Sequence, residues 1–256
     1  MKIATWNVNS LRVRLEQVLA WLGREQPDIL ALQETKLKDE DFPSDAFAER
    51  GYIATFSGQP TYNGVAVLSR SAPEDVKREI AGFADEERRV LTATYGRVRF
   101  WNLYVPNGQR LDSEKFRYKL EWLAALRADL ETELAHHRSV LVVGDFNIAP
   151  DDRDVHDPAA WEGHVLCSPA ERAALAEIMK LGLKDLFRQF EQPEKSFSWW
   201  DYRAGAFRRN QGLRIDLVLG SRALAELCSV CRIDVEPRRS QRPSDHVPVV
   251  AEFSRS

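Results

Sequence analysis

An apolar run in the middle of the chain ends in two side chains that can do chemistry. Residues 140–143 are the kind of residues that fill a strand covered on both faces. Gly144 follows, and Asp145 and Asn147 come next. Residues two apart in an extended segment point to the same side, so a carboxylate and a carboxamide would share one rim. Such a pair suits a water or a phosphate oxygen, although Gly, Asp and Asn also form ordinary strand-to-turn exits.

Polar side chains also stand at the ends of other predicted strands, or inside them. The set comes from six strands and consists of Asn7, Glu34, Tyr104, Asp145, Asn147, Asp216, Asp245 and His246. Because strand ends on one side of a sheet protein converge, these side chains are expected to share a pocket. Oxygen donors dominate the set, which favours a hard divalent cation, Mg²⁺ or Mn²⁺. A single member such as Glu34 has an ordinary alternative as a surface carboxylate, and the number of coincidences favours a site.

Asp216 is placed in the interior of a predicted strand, 213–219, and there it needs a partner. An unpaired buried carboxylate is very costly, and His246 is the expected partner. An Asp–His pair holds the imidazole protonated or in one tautomer. Taken alone, Asp216 is equally well explained as a cap or a salt bridge, and His246 as a satisfied core histidine.

The remaining chain predicts alternating strands and helices. Further strands are expected at 2–6, 29–32, 52–56, 64–69, 90–95, 97–104, 233–235 and 247–253. A helix is expected after Asn9 or Ser10, either of which would cap it. A long helix from Asp112 or Ser113 would carry a buried stripe made of Phe116, Leu120, Leu123, Leu130 and Leu134. Ser168 opens a third helix with a proline and a capping-box glutamate behind it.

Composition favours one large core without a linker. The chain has 256 residues, 44% of them hydrophobic, and it shows no low-complexity run, which predicts a single domain over residues 1–256. No signal sequence and no bilayer-length apolar run are visible, so we expect a cytoplasmic, monomeric protein that does not bind membranes. Cys228 and Cys231 form an isolated C-x-x-C, for which packing is the better interpretation than zinc or redox chemistry.

Two basic windows are candidates for contact with nucleic acid. Arg203 and Arg214 bound the first window, which follows an aromatic segment, and the second covers 238–242. A net charge of −3 argues against binding by bulk electrostatics but leaves room for a local basic face. These arginines would follow phosphates and make binding salt-dependent, and the alternative is solvated surface.

Five short motifs carry a resemblance to a known family. Two are Gly144-Asp145-Phe146-Asn147 and Ser244-Asp245-His246, and three more specific ones are Leu32-Gln33-Glu34-Thr35-Lys36, Trp199-Trp200-Asp201-Tyr202-Arg203 and Leu213-Arg214-Ile215-Asp216. Over its whole length the chain resembles the exonuclease III family of DNA-repair nucleases. That family lies within a superfamily that includes deoxyribonuclease I and the inositol polyphosphate and sphingomyelin phosphodiesterases.

The resemblance implies an α/β fold, a four-layer sandwich of two mostly antiparallel mixed sheets face to face with helices outside. It also implies roles for the residues. Glu34 resembles the principal metal ligand, with Asn7 and Asp245 near the same cation. Asp145, Asn147 and His246 complete the candidate ligand set. Asp145 would orient or deprotonate the attacking water, Asn147 would hold that water and the phosphate, and His246, backed by Asp216, would contact the scissile phosphate. Tyr104 would also contact phosphate, and an apolar pocket for a base-less sugar would be formed by Trp199, Leu213 and Ile215.

The implied substrate is double-stranded DNA with abasic sites or blocked 3′ ends. We expect the enzyme to incise on the 5′ side of abasic sites and also to process 3′ ends. The alternative is mainly 3′-end work, which a bulky side chain of the 151–168 loop leaning into the apolar pocket would favour. A lipid or inositol phosphate phosphodiesterase is a weaker alternative, because the aromatic segment and the bacterial-type motifs argue against it. A non-catalytic binding module would be expected to lack one of Glu34, Asp145, Asp216 and His246, and all four are present.

Overall fold

The computed structural model describes residues 1–254, in which twelve strands and six α-helices form. The strands are β1 (Lys2–Asn7), β2 (Ile29–Gln33), β3 (Ile53–Ser57), β4 (Val65–Ser69), β5 (Glu74–Lys77), β6 (Val90–Tyr95), β7 (Val98–Tyr104), β8 (Val140–Asp145), β9 (Leu183–Asp185), β10 (Asp216–Ser221), β11 (Cys228–Ile233) and β12 (Val249–Phe253). The helices are α1 (Leu11–Glu25), α2 (Ser44–Ala48), α3 (Glu114–His136), α4 (Pro158–Trp161), α5 (Pro169–Met179) and α6 (Arg222–Ala225).

The strands form two six-stranded mixed sheets. The first has the order β11-β12-β1-β2-β4-β3 and the second β5-β6-β7-β8-β10-β9. The pairs β1–β2 and β7–β8 are parallel, and the other pairs are antiparallel. In each sheet a parallel pair therefore brings two strand ends to the same edge.

Three apolar clusters define the layers. Residues from both sheets, such as Ile3 and Phe100, share the core between them. Helix α1 covers the outer face of the first sheet, where Leu22 joins the cluster of Trp6. Helices α3 and α5 cover the second sheet, with Trp122 fully buried. This is the predicted four-layer α/β sandwich.

Strand β10 begins later than the sequence predicts. Leu213 makes only isolated bridges, one of them with Trp199, and the ladder starts at Asp216. The hydroxyl of Ser198 accepts the backbone N–H of Asp216 and so takes the place of a ladder bond. Asp216 is thus the first residue of the strand, and the predicted interior position was wrong.

The edge strand near the end of the chain is also placed differently. The strand expected at 233–235 occupies Cys228–Ile233, and the short strands β5 and β9 were not expected. Cys231 is buried in the core between the sheets, and Cys228 packs against it from a half-buried position. The two thiols therefore act as packing residues.

The start of α1 has no side-chain cap among residues 1–254, contrary to prediction. Ser10 has φ 86°, a left-handed conformation, and the backbone N–H of Leu11 bonds to the carbonyl of Thr35. The side chain of Asn9 turns to the carboxylate of Asp245 instead. The segment is thus shaped by contacts to neighbouring loops. Within residues 1–254, none of the helices has the length and apolar character needed to cross a bilayer.

Candidate active site

Strand register places three of the predicted residues side by side. Tyr104 of β7 pairs with Asp145 of β8, and Asp145 pairs in turn with Asp216 of β10. In the other sheet β1 ends at Asn7, opposite the residue that precedes Glu34. The amide of Asn7 joins the two edges, since Nδ2 donates to Glu34 Oε1 at 2.8 Å and to Asp145 Oδ2 at 2.9 Å.

Gly144 allows β7 and β8 to approach each other at this point. Its φ is 142°, and a Cβ atom there would lie 1.9 Å from the carbonyl oxygen of Leu103. Any side chain would therefore push β7 away from β8. The glycine places Asp145 directly beside Tyr104.

His246 is held by two buried carboxylates. Its Nδ1 lies 2.9 Å from Asp216 Oδ2 and its Nε2 lies 3.7 Å from Asp145 Oδ2. Ser198 donates to the same Asp216 oxygen at 2.6 Å. Burial alone would lower the pKa of His246, but Asp216 and Asp145 outweigh it and raise that pKa. The raised pKa favours the protonated ring, in which Nε2–H can donate to a phosphate oxygen.

Asp145 is 1% exposed and is held from two sides. Burial raises its pKa, while the charge of His246 opposes that rise. The backbone N–H of Asn147 donates to Asp145 Oδ1 at 2.9 Å, in a turn where Asn147 has φ 49°. Asn147 Oδ1 accepts from the amide of Asn107 at 3.1 Å. The carboxylate and the two amides form one polar surface.

Tyr104 borders this surface as a neutral phenol. Burial raises its pKa well above the ordinary value, and the charges of Glu34 and Asp145 raise it further. The guanidinium of Arg89 lies 4.7 Å from the centre of its ring. A neutral phenol beside two carboxylates keeps an O–H to donate.

The donor set fits a hard divalent cation. Glu34, Asp145 and His246 each offer one atom, and these atoms lie within 4.8 Å of one another. Glu34 and Asp145 supply carboxylate oxygens, the ligands that Mg²⁺ and Mn²⁺ prefer. Asn7 donates N–H groups to both carboxylates, so in this arrangement it holds the ligands in place. Lys36 Nζ, 2.9 Å from Glu34 Oε2, balances part of the charge.

Asp245 lies beside this cluster, and both of its carboxylate oxygens already accept hydrogen bonds. Its Oδ1 accepts from Asn9 at 2.9 Å and its Oδ2 from the indole N–H of Trp199 at 3.0 Å. Burial would raise the pKa of Asp245, but the charge of His246 and these two bonds lower it overall. Asp245 thus fixes Trp199, and its role as a metal ligand stays a prediction.

The apolar wall of the site, formed by Trp199, Leu213 and Ile215, is covered by other residues of the chain. Leu213 is 0% and Ile215 1% exposed, and Trp199 is partly exposed. Residues of the 151–168 loop pack on them in one cluster, and these residues are Val155, Trp161, Val165, Leu166 and Cys167. Bulky side chains of the loop therefore occupy the space next to the predicted sugar pocket.

The prediction that Arg214 contacts DNA was wrong. Its guanidinium is buried and bonds Asp154 at 2.6 Å and Asp185 at 2.7 Å, so it ties the loop to the second sheet. Arg238 is also buried, 8% exposed, and bonds the carbonyl of Trp200. Arg203 is exposed, and its contact with DNA stays a prediction.

Sequence reasoning missed several residues that shape the site. Asn9, Ser198 and Asn107 carry no signal, because such residues are common in turns. Lys119 did carry one. It lies three residues after Phe116 and four before Leu123 on the buried stripe of α3, where a lysine is unusual.

Comparison with known proteins identifies the family. Residues 4–246 match the model of the Endonuclease/Exonuclease/phosphatase family. Exodeoxyribonuclease III of Haemophilus influenzae is 36% identical over 269 residues, spanning 99% of this chain and 100% of that protein. The chain belongs to this family, in its exonuclease III branch.

Solved structures of this family superpose closely on the chain. The 3′-5′ exonuclease NExo of Neisseria meningitidis is 47% identical with a TM-score of 0.97, and 99% of each chain is covered. An AP endonuclease from Archaeoglobus fulgidus is 40% identical with a TM-score of 0.95, again with 99% of each chain covered. The family, fold and enzyme class predicted from the sequence are confirmed.

Proposed function

We propose that this chain is a metal-dependent DNA-repair nuclease of base excision repair that hydrolyses phosphodiesters. The observation that carries the proposal is the convergence of Glu34, Asp145 and His246 within 4.8 Å. These residues come from three separate parts of the chain and include both carboxylates and a protonated imidazole. Family relatives that are nucleases by name support the same reaction class.

Each side chain has a role in that reaction. Asp145 orients the attacking water, with Asn147 beside it, and accepts its proton as the water oxygen bonds to phosphorus. The bond from phosphorus to the 3′-oxygen breaks, and the leaving oxygen takes up a proton from solvent. His246, held by Asp216, donates Nε2–H to the phosphate as negative charge builds on it. Tyr104 donates its O–H to the same group. Glu34 and Asp145 would hold the cation, Mg²⁺ or Mn²⁺, which when bound neutralises phosphate charge.

The substrate is duplex DNA with abasic sites or blocked 3′ ends. A second candidate function, mainly 3′-end processing with little abasic incision, has a specific observation in its favour. Trp161, Leu166 and Cys167 lie in one apolar cluster with Leu213 and Ile215, so bulky side chains of the loop stand at the predicted sugar pocket. A second structure of the Neisseria protein, 47% identical to this chain with a TM-score of 0.97, is that of a 3′ phosphatase bound to a product DNA hairpin. A monomeric state, a single domain and a cytoplasmic location stay predictions.

Two duplexes separate these possibilities. One carries an internal abasic analogue and the other a nick with a 3′-phosphate, and an inositol phosphate serves as the third substrate. We expect cleavage of DNA that stops with a chelator and returns with Mg²⁺ or Mn²⁺. Processing of the 3′-phosphate nick without abasic incision would establish the second candidate function. Turnover of the inositol phosphate alone, or DNA cleavage that resists chelation, would refute the proposal.

A further inference from the structure

A fully buried ion pair joins α3 to α5 next to the site. Lys119 and Glu171 both have side chains 0% exposed, and Nζ lies 2.5 Å from Oε1. Two ions taken out of water are costly, and an apolar pair of similar volume is often as stable. The pair is therefore poorly explained by stability alone, and its other bonds indicate what it does.

The two other N–H groups of Lys119 donate hydrogen bonds to two turns of the site. Nζ donates to the carbonyl of Asn147 at 2.7 Å and to that of Asn107 at 3.1 Å. The side chains of these two asparagines are bonded to each other. Together with Glu171, these carbonyls use all three donors of the ammonium group. Lys119 thus fixes the backbone from which Asn147 is presented.

The carboxylate oxygens of Glu171 accept hydrogen bonds from the end of the 151–168 loop. Oε1 accepts the backbone N–H of Leu166 at 3.0 Å, and Oε2 accepts the backbone N–H of Ser168 at 3.1 Å and its hydroxyl at 2.5 Å. A capping box requires only the bond to the backbone N–H of Ser168. The bond to Leu166 is additional, and Leu166 packs against Leu213 and Ile215.

We propose that Lys119 and Glu171 are positioning residues that couple the turn presenting Asn147 to the loop that covers the apolar wall. The inference rests on the proposed function, because it assigns that loop to substrate selection and Asn147 to the phosphate. Through this pair, a shift of the loop moves the backbone beside Asp145. The pair thereby fixes the geometry of the hydrolytic centre without touching substrate.

The test replaces both ions at once, since a single replacement would leave a buried charge unpaired. In the variant Lys119→Met/Glu171→Met we expect a folded protein with a lowered melting temperature, because the carbonyls of Asn107 and Asn147 and the N–H groups of Leu166 and Ser168 lose their partners. We expect kcat on the duplex with the 3′-phosphate nick to fall about 10- to 100-fold with KM little changed, as for loss of an outer-shell support. Backbone amide exchange at 147, 166 and 168 should become faster.

A second buried ion pair, between β7 and the other end of α3, serves as the control. Arg99 and Glu133 form this pair, with Nε 2.6 Å from Oε2. The variant Arg99→Met/Glu133→Met is expected to keep wild-type kcat and wild-type exchange at 147, 166 and 168. Equal losses of kcat in both double variants would overturn the assignment of a local positioning role.

A folded Lys119→Met/Glu171→Met variant with wild-type kcat and wild-type exchange would also overturn the proposal. If that variant does not fold, Glu171→Gln carries the test, because its amide oxygen can still accept from Lys119 Nζ, whereas its NH₂ group cannot accept from Ser168. Faster exchange at 168 and a lower kcat are then expected, and no change in either would refute the coupling. A wild-type protein that cleaves no DNA would refute the proposed function instead, and the exchange comparison would still decide the coupling.

Discussion

Asp145 is the residue at which the interactions of the site meet. Asn7 and Asn147 donate to it, and the ring of His246 faces it at 3.7 Å. Burial raises its pKa, so the charged form of this carboxyl is less favourable in the folded protein than in water. A costly charge in a place that packing alone does not require is typical of groups kept for their chemistry.

Replacing Asp145 by asparagine should separate activity from stability. Asp145→Asn removes the proton acceptor, and we expect kcat to fall by about 10³-fold or more. The neutral amide avoids the penalty that raises the pKa of the carboxylate, so the melting temperature should stay the same or increase. His246→Ala should likewise abolish turnover in a folded protein. Steady-state kinetics and calorimetry measure both properties.

Asp112→Asn makes the same chemical change at an exposed carboxylate, whose side chain is 80% exposed, and is expected to change neither property. A kcat for Asp145→Asn or His246→Ala within about tenfold of wild type would contradict the roles given to these residues.

At the scale of elements, the sequence predicts those strands whose apolar runs end abruptly. The exits at Asn7, Glu34 and Asp145 were found this way, because a polar residue after a covered strand is a local signal. The start of β10 was missed because the Ser198 side chain replaces a ladder bond. Arg214 was misassigned because its partners, Asp154 and Asp185, are 60 and 29 residues away. Pairing over such distances leaves no local trace.

Gly144→Ala tests how closely β7 and β8 must approach. The added methyl group would overlap the carbonyl of Leu103 at a backbone angle that alanine rarely adopts. We expect a loss of unfolding free energy of about 4 kcal/mol or more, at the high end for point mutants, measured by denaturant titration. Gly23→Ala is the control, since an added Cβ on this residue of α1 would meet none of residues 1–254 within 4 Å. It should stabilise the protein by about 0.5–1 kcal/mol. A mild effect of Gly144→Ala would contradict the proposed close approach.

At the scale of the whole molecule, a polar cluster joins the two sheets. Asn102 of the second sheet donates to the carbonyls of Leu32 and Ala66 in the first, at 3.0 and 2.8 Å. Its Oδ1 accepts from Gln33 at 2.7 Å. These bonds cross an otherwise apolar core, so they specify one register between the sheets. Glu34 directly follows Gln33, so the same cluster also fixes the position of the carboxylate that we propose as a metal ligand.

Asn102→Leu keeps the volume and removes these bonds. We expect a loss of about 2–5 kcal/mol in unfolding free energy with an unchanged m-value, because buried polar groups of Gln33 and the facing strand lose their partner. Thr92→Val is the control, since the buried Thr92 hydroxyl has no hydrogen-bond partner among the described residues. That change should leave stability unchanged or increase it. Equal denaturation midpoints for Asn102→Leu and Thr92→Val would contradict the role of the cluster.

Because β1 lies between β2 and β12, the site can form only after the last strand has been synthesised. Trp6 bonds the carbonyl of His246, which lies 240 residues further along the chain, and Ser244 bonds the carbonyl of Asn7. A polypeptide still emerging from the ribosome, or one cut before residue 244, has no imidazole to place beside Asp145. Partly synthesised chains therefore lack a complete hydrolytic centre, which forms only when the first and last strands have joined.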